Sequence, residues 1–152
     1  MKILATDLDR TLLPNGSWPP DPGAIDLFNE LTRRNDVLVV YVTGRNLALS
    51  ENAIVEYGIR HPDVLIGDVG TSIRRFEQGQ WLQDQGWAQK IHQLSPAWDN
   101  GAIRKAVADI EGLSEQEAEH LNAFKQSYYV DHSHREAILE QVDERVKGRY
   151  DE

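Results

Sequence analysis

Residues 2–11 read KILATDLDRT: an apolar run from Ile3 to Ala5 breaks after Thr6 into two aspartates one residue apart, Asp7 and Asp9, with Thr11 two further on. A short continuous apolar run bounded by polar residues reads as a buried strand. Residues 37–42, VLVVYV, and residues 63–70, DVLIGDVG, supply a second and a third. Between the strands lie two helical stretches. Asp21 is the expected cap of the first, with Pro22 at its opening position and Ile25, Phe28 and Leu31 at helical spacing. The second runs over residues 46–57 and stops at Gly58. The order β-α-β-α-β with all-apolar strands predicts an α/β fold, a parallel sheet covered on both faces. In such sheets ligands bind beyond the carboxyl ends of the strands. Asp7, Asp9 and Thr43 are therefore expected on one edge.

After Gly70 the rhythm changes. Residues 71–76 and 80–83 predict a β-hairpin across Gly79. Two helices follow, one over residues 87–94 and one from Pro96, capped by Ser95, to about Ile110. Residues 114–117, SEQE, and 133–136, SHRE, both fit the reciprocal capping pattern of a helix start. Residues 123–130 between them read as a strand. The expected division is a core over residues 1–70 and a smaller α+β module over 71–152.

The chain has 152 residues, 16 Lys and Arg against 25 Asp and Glu, and a net charge of -9. That balance, without a basic cluster, argues against nucleic acid as partner. With no cysteine, disulfides and thiolate metal sites are excluded. The apolar run at 37–42 is too short to span a bilayer, and Asp7 interrupts the N-terminus too early for a signal peptide, so a cytoplasmic location without a membrane partner is expected.

Two carboxylates at i and i+2 after a strand can divide the work of phosphoryl transfer. One attacks phosphorus; the other protonates the leaving oxygen and later deprotonates water. Phosphate and carboxylate repel, so the site calls for a divalent cation, and Mg²⁺ suits oxygen ligands. Donors for the phosphate oxygens are also needed. In YVTGR, residues 41–45, Thr43 offers a hydroxyl and Gly44 allows close backbone approach. The bland alternatives are a strand-ending turn for the aspartates and a helix cap for Thr43. Arg45 reads as a surface or helix-terminus charge.

ILATDLDRTLL resembles the first motif of the haloacid-dehalogenase (HAD) superfamily of phosphohydrolases, D-x-D-x-T after an apolar strand, and VVYVTGR resembles the second. IGDVGTSIR, the tryptophan-bearing hairpin and FKQSYYVD are similar to the sucrose-phosphate phosphatase branch. The resemblance implies a HAD-like Rossmannoid sheet, its N-terminal half only, with a partial cap. It implies Asp7 as nucleophile, Asp9 as general acid/base, and Mg²⁺ held by the Asp7 carboxylate and the Asp9 main-chain carbonyl. Thr43 and Gly44 would bind phosphate, and the substrate would be a sugar phosphate. The family pattern often has Gly where Arg10 stands. Its third and fourth motifs, a lysine and an acidic pair, have no counterpart in these residues. The chain is thus expected to be truncated within the cap, and a non-catalytic fragment that binds phosphate or a protein is the alternative. The first strand, central in the family, would become an open edge, and self-association through it is expected.

Lys125, on the predicted cap strand, is a candidate substrate contact. The tryptophans are expected to pack, with Trp18 the one nearest the first motif in sequence and the one to watch.

Overall fold

The computed structural model describes residues 1–14, 19, 21–34 and 36–147. Trp18 lies outside the described residues. The chain divides into two compact units, Met1–Gln89 and Lys90–Glu152.

The first unit is built on a five-stranded sheet of order β1-β2-β3-β4-β5. β1 (Lys2–Thr6), β2 (Val37–Val42) and β3 (Val64–Gly67) run parallel, as the alternation with helices α1 (Ala24–Thr32) and α2 (Leu47–Tyr57) predicts. The register sets Lys2 beside Val37, Thr6 beside Tyr41 and Val42 beside Ile66. β4 (Ser72–Glu77) turns back on β3 with Gly67 opposite Ser72, and β5 (Gln80–Gln83) completes the hairpin. The change of rhythm at Thr71 therefore marks the switch from parallel to antiparallel pairing. The break in packing comes later, between Gln89 and Lys90.

Leu8, Leu13, Val39, Tyr41, Ala53, Ile54, Ile59 and Leu65 form the core of this unit. β1 itself is not in it, contrary to expectation. Every β1 residue but Thr6 is exposed, Ile3 by 67%. The cause is position: among the described residues β1 has a hydrogen-bonded neighbour on one side only. The chain enters the core just past the strand, through Leu8 and Leu13.

Local signals explain the helices only in part. Asn46 caps α2, its side chain accepting from the Leu49 amide at 2.8 Å, and Gly58 closes it at φ 64. α1 departs from expectation. It starts at Ala24 after a left-handed Gly23 (φ 82) with no side-chain cap, and Asp21 contributes only its carbonyl, to the Ala24 amide. Ile25 and Phe28 face the core, whereas Leu31 is exposed and Thr32 is buried in its place. Thr32 satisfies its hydroxyl on the Phe28 carbonyl at 2.6 Å. Trp81 packs at a tilt against Phe76, which stacks parallel on His61 at 4.1 Å, and the Trp81 indole donates to Glu51 at 2.7 Å.

α3 (Gln85–Leu94) carries the chain across the division. In the second unit α4 (Asn100–Val107) and α5 (Arg135–Lys147) accompany a two-stranded antiparallel sheet, β6 (Leu113–Glu115) and β7 (Tyr128–Val130). Val107, Ile110 and Ile138 form its small core. Three expected helix starts are corrected here. Asp99 rather than Ser95 caps α4, accepting from the amides of Gly101 and Ala102. Ser114 and Glu115 lie within β6, paired with Tyr129 and Tyr128, so SEQE begins in a strand and not at a helix start. Ahead of α5, Asp131 rather than Ser133 is the cap, accepting from the Ser133 amide at 2.9 Å. In the second unit the aspartate nearest each true start wins, because a carboxylate accepts an amide more strongly than a hydroxyl does.

Candidate active site

The two aspartates leave β1 on opposite sides of an anchor. Leu8, between them, is fully buried, and its carbonyl accepts from the amides of Thr11, Leu12 and Leu13 at 3.3, 3.1 and 2.8 Å. Arg10 closes this loop by donating its amide to the Leu13 carbonyl at 2.8 Å, in a left-handed conformation (φ 59). Glycine meets that conformation without strain, which is why the resemblance carries glycine there; Arg10 adopts it nonetheless.

Asp7 is exposed at the end of β1, and the Thr11 hydroxyl donates to its Oδ2 at 3.3 Å. Asp7 lines an open cavity of about 300 Å³ with Val42, Thr43, Gly44, Val69 and Gly70. Thr43 is buried, fixed through its amide to the Ile66 carbonyl at 2.9 Å. Its hydroxyl oxygen accepts from the Arg45 amide at 3.2 Å, so its proton remains to be donated. Three expected residues, Asp7, Thr43 and Gly44, thus share one cavity.

Asp9 is held elsewhere. Arg45 donates to its carboxylate from Nε at 3.2 and 3.0 Å and from a terminal nitrogen at 2.6 Å. A further Arg45 nitrogen donates to the Leu49 carbonyl at 3.2 Å. These hydrogen bonds hold the Asp9 carboxyl below its ordinary range, outweighing a smaller opposite effect of burial. Arg45 is the functional residue the sequence reading missed. Its partner lies 36 positions away, and only the parallel register of β1 and β2 brings their ends together.

Lys125 lies in the second unit. It is not on a strand, as expected, but in a tight turn where its amide and carbonyl pair with those of Asn122.

For Mg²⁺ the donor chemistry fits in kind. Asp7 presents an exposed carboxylate two residues before the Asp9 main-chain carbonyl, both oxygen ligands of the type this ion prefers. The Asp9 carboxylate is committed to Arg45, and among the described residues no group of three His, Cys, Asp or Glu stands together.

The sequence matches the model of the family described as sucrose-6F-phosphate phosphohydrolase over residues 1–150. It is 41% identical to a HAD-like hydrolase of Nitrosococcus oceani over 127 residues, 84% of this chain and 34% of that protein. It is 27% identical to sucrose-phosphatase 1 of Nicotiana tabacum over 153 residues, 97% of this chain and 34% of that one. Among solved structures, the sucrose-phosphatase of Synechocystis sp. PCC6803, in complex with sucrose and phosphate, superposes with a TM-score of 0.77 at 26% identity. That match covers 97% of this chain and 56% of the other. The chain spans about a third of the length of the curated relatives it matches.

Proposed function

Since the chain belongs to the sucrose-6F-phosphate phosphohydrolase family, we propose that it provides the nucleophile and phosphate cradle of a cytoplasmic, Mg²⁺-dependent sugar-phosphate phosphatase. The observation that carries this reading is the cavity that an exposed Asp7 and a buried Thr43 line together. Sucrose phosphate is the preferred substrate, as the names of the relatives suggest.

An Asp7 carboxylate oxygen attacks phosphorus, and the bond from phosphorus to the sugar oxygen breaks, leaving an acyl phosphate on Asp7. The departing oxygen takes a proton from the Asp9 carboxylic acid. Asp9, now a carboxylate, takes a proton from water; the resulting hydroxide attacks phosphorus and frees Asp7 with inorganic phosphate. Thr43 and the backbone at Gly44 hold the phosphate oxygens. The Asp7 carboxylate and Asp9 carbonyl would hold Mg²⁺, which screens the charge between carboxylate and phosphate when bound. Asp9 rests as the anion, bound by Arg45, in the form that the second step requires. The first step requires that pair to loosen so that Asp9 can carry a proton. Lys125 is retained as a candidate sugar contact from the second unit.

The second reading is a phosphate-binding, non-catalytic chain, and the Asp9–Arg45 pair favours it, since a carboxylate clamped by arginine is a poor acid. Hydrolysis of sucrose 6F-phosphate with MgCl₂ separates the two. Turnover that falls at least about a thousandfold in Asp7→Asn supports the enzyme. A variant with undiminished turnover sinks the assignment of Asp7. Binding of inorganic phosphate with no turnover by the unaltered chain supports the second reading.

A further inference from the structure

Beyond β3 the backbone is left-handed at three consecutive residues, Asp68, Val69 and Gly70, with φ of 54, 59 and 87. Glycine enters this region freely and aspartate is tolerated there, but valine, branched at Cβ, is among the residues least suited to it. The surroundings impose the turn. The Asp68 amide donates to the Arg45 carbonyl at 2.9 Å, the Val69 amide to the Thr43 carbonyl at 3.3 Å, and the Trp87 indole to the Gly70 carbonyl at 2.9 Å. The buried Asp68 carboxylate accepts from Ser72 at 2.9 Å.

None of these bonds uses the Val69 side chain, which is 73% exposed and gives almost nothing to the core. A glycine would satisfy the same turn with less strain. What the isopropyl group does is line the cavity of Asp7 and Thr43, pointing across it at Gly44. A Cβ built at Gly44 would stand 3.9 Å from Val69 Cγ2. Strain retained beside a reactive group marks a side chain kept for its contacts with a ligand.

We propose that Val69 is a specificity-determining residue, the apolar wall against which the C–H face of the sugar rests while Asp7 and Thr43 engage the phosphate. This rests on the functional reading above. A side chain at 44 would meet Val69 at van der Waals distance, so glycine there leaves that face of Val69 uncovered. The wall discriminates between a phosphate monoester and free phosphate, because only the ester carries carbon to bury against it.

The test compares the unaltered chain, Val69→Gly and Val69→Thr by calorimetric titration in MgCl₂, with inorganic phosphate and with sucrose 6F-phosphate as probes. Phosphate affinity is expected to be equal in all three. Sugar-phosphate affinity is expected to fall about fivefold in Val69→Gly and by a smaller factor in Val69→Thr, which keeps the shape but adds a hydroxyl. Thermal melting of Val69→Gly is expected about 3 °C above the unaltered chain, as the strain is relieved. Sugar-phosphate affinity unchanged in Val69→Gly, with phosphate still bound, overturns the inference and leaves the functional reading standing. A lower melting temperature in that variant also overturns it, by making the side chain structural. Failure of the unaltered chain to bind phosphate removes both.

Discussion

β1 and β2 are neighbours in register and alike in composition, yet one is exposed and the other buried. Ile3 is 67% and Leu4 39% exposed, whereas Val39 and Tyr41 are fully buried. Both runs are apolar enough to be core strands. The difference lies in sheet order: β2 is flanked by β1 and β3, and among the described residues β1 has no strand beyond it. An apolar run specifies a strand, but the number of neighbours decides what the strand buries. The two strands converge again at their carboxyl ends, where Arg45 after β2 grips Asp9 after β1.

The largest effect that would test this contrast is on stability. Tyr41→Ala should cost about 3–4 kcal/mol in urea unfolding, because it empties a core site and orphans the Arg60 carbonyl that accepts from its hydroxyl at 2.7 Å. Ile3→Ala should cost less than about 1 kcal/mol. Equal losses would erase the distinction between the strands.

The link between the strand ends comes next. Arg45→Met should cost about 1–2 kcal/mol at neutral pH, with its partner carboxylate left half-buried. The pH dependence follows from Asp9, whose folded pKa lies below its ordinary value of 3.8. A depressed carboxylate pKa stabilises the fold above the unfolded value and loses that contribution as pH falls through the folded one. The gap between the unaltered chain and Arg45→Met should therefore be full at pH 6 and shrink only as pH falls below 3.8 toward the lowered folded value. A gap that persists to pH 2 would mean the arginine acts through packing instead.

The smallest effect concerns association. We propose that the open β1 edge pairs with a second copy of the chain, and that Ile3→Lys weakens the dimer about tenfold, or about 1.4 kcal/mol, by placing like charges across the paired edges. Sedimentation across a concentration series measures this. A monomer at every concentration for the unaltered chain would show that the edge is simply solvated.

Much of this architecture was legible in the residues, and the failures share a cause. The alternation of apolar runs and capped helices gave β1 to β3 and α2, and the pattern D-x-D-x-T gave the strand end that carries Asp7. KILAT by itself reads as a buried strand, because sheet order is not written in any one run; the open edge was expected only through the family resemblance, and the sheet order agrees with it. Arg45 was passed over because its meaning depends on a partner 36 residues away. The strained Val69 was invisible for the opposite reason: valine gives no local signal for a left-handed turn, which comes from bonds to Thr43, Arg45 and Trp87. At the caps, serine patterns at 95, 114 and 133 competed with nearby aspartates or a strand, and the serines lost.

Asp7, at the end of β1, is the proposed phosphate-accepting nucleophile. Beryllofluoride mimics an acyl phosphate on a carboxylate, so ¹⁹F NMR of the chain in MgCl₂ tests that role without requiring turnover. A bound fluoride signal is expected in the unaltered chain, lost in Asp7→Asn and retained in Asp9→Asn. A signal that survives Asp7→Asn, or that never forms in the unaltered chain, would contradict it.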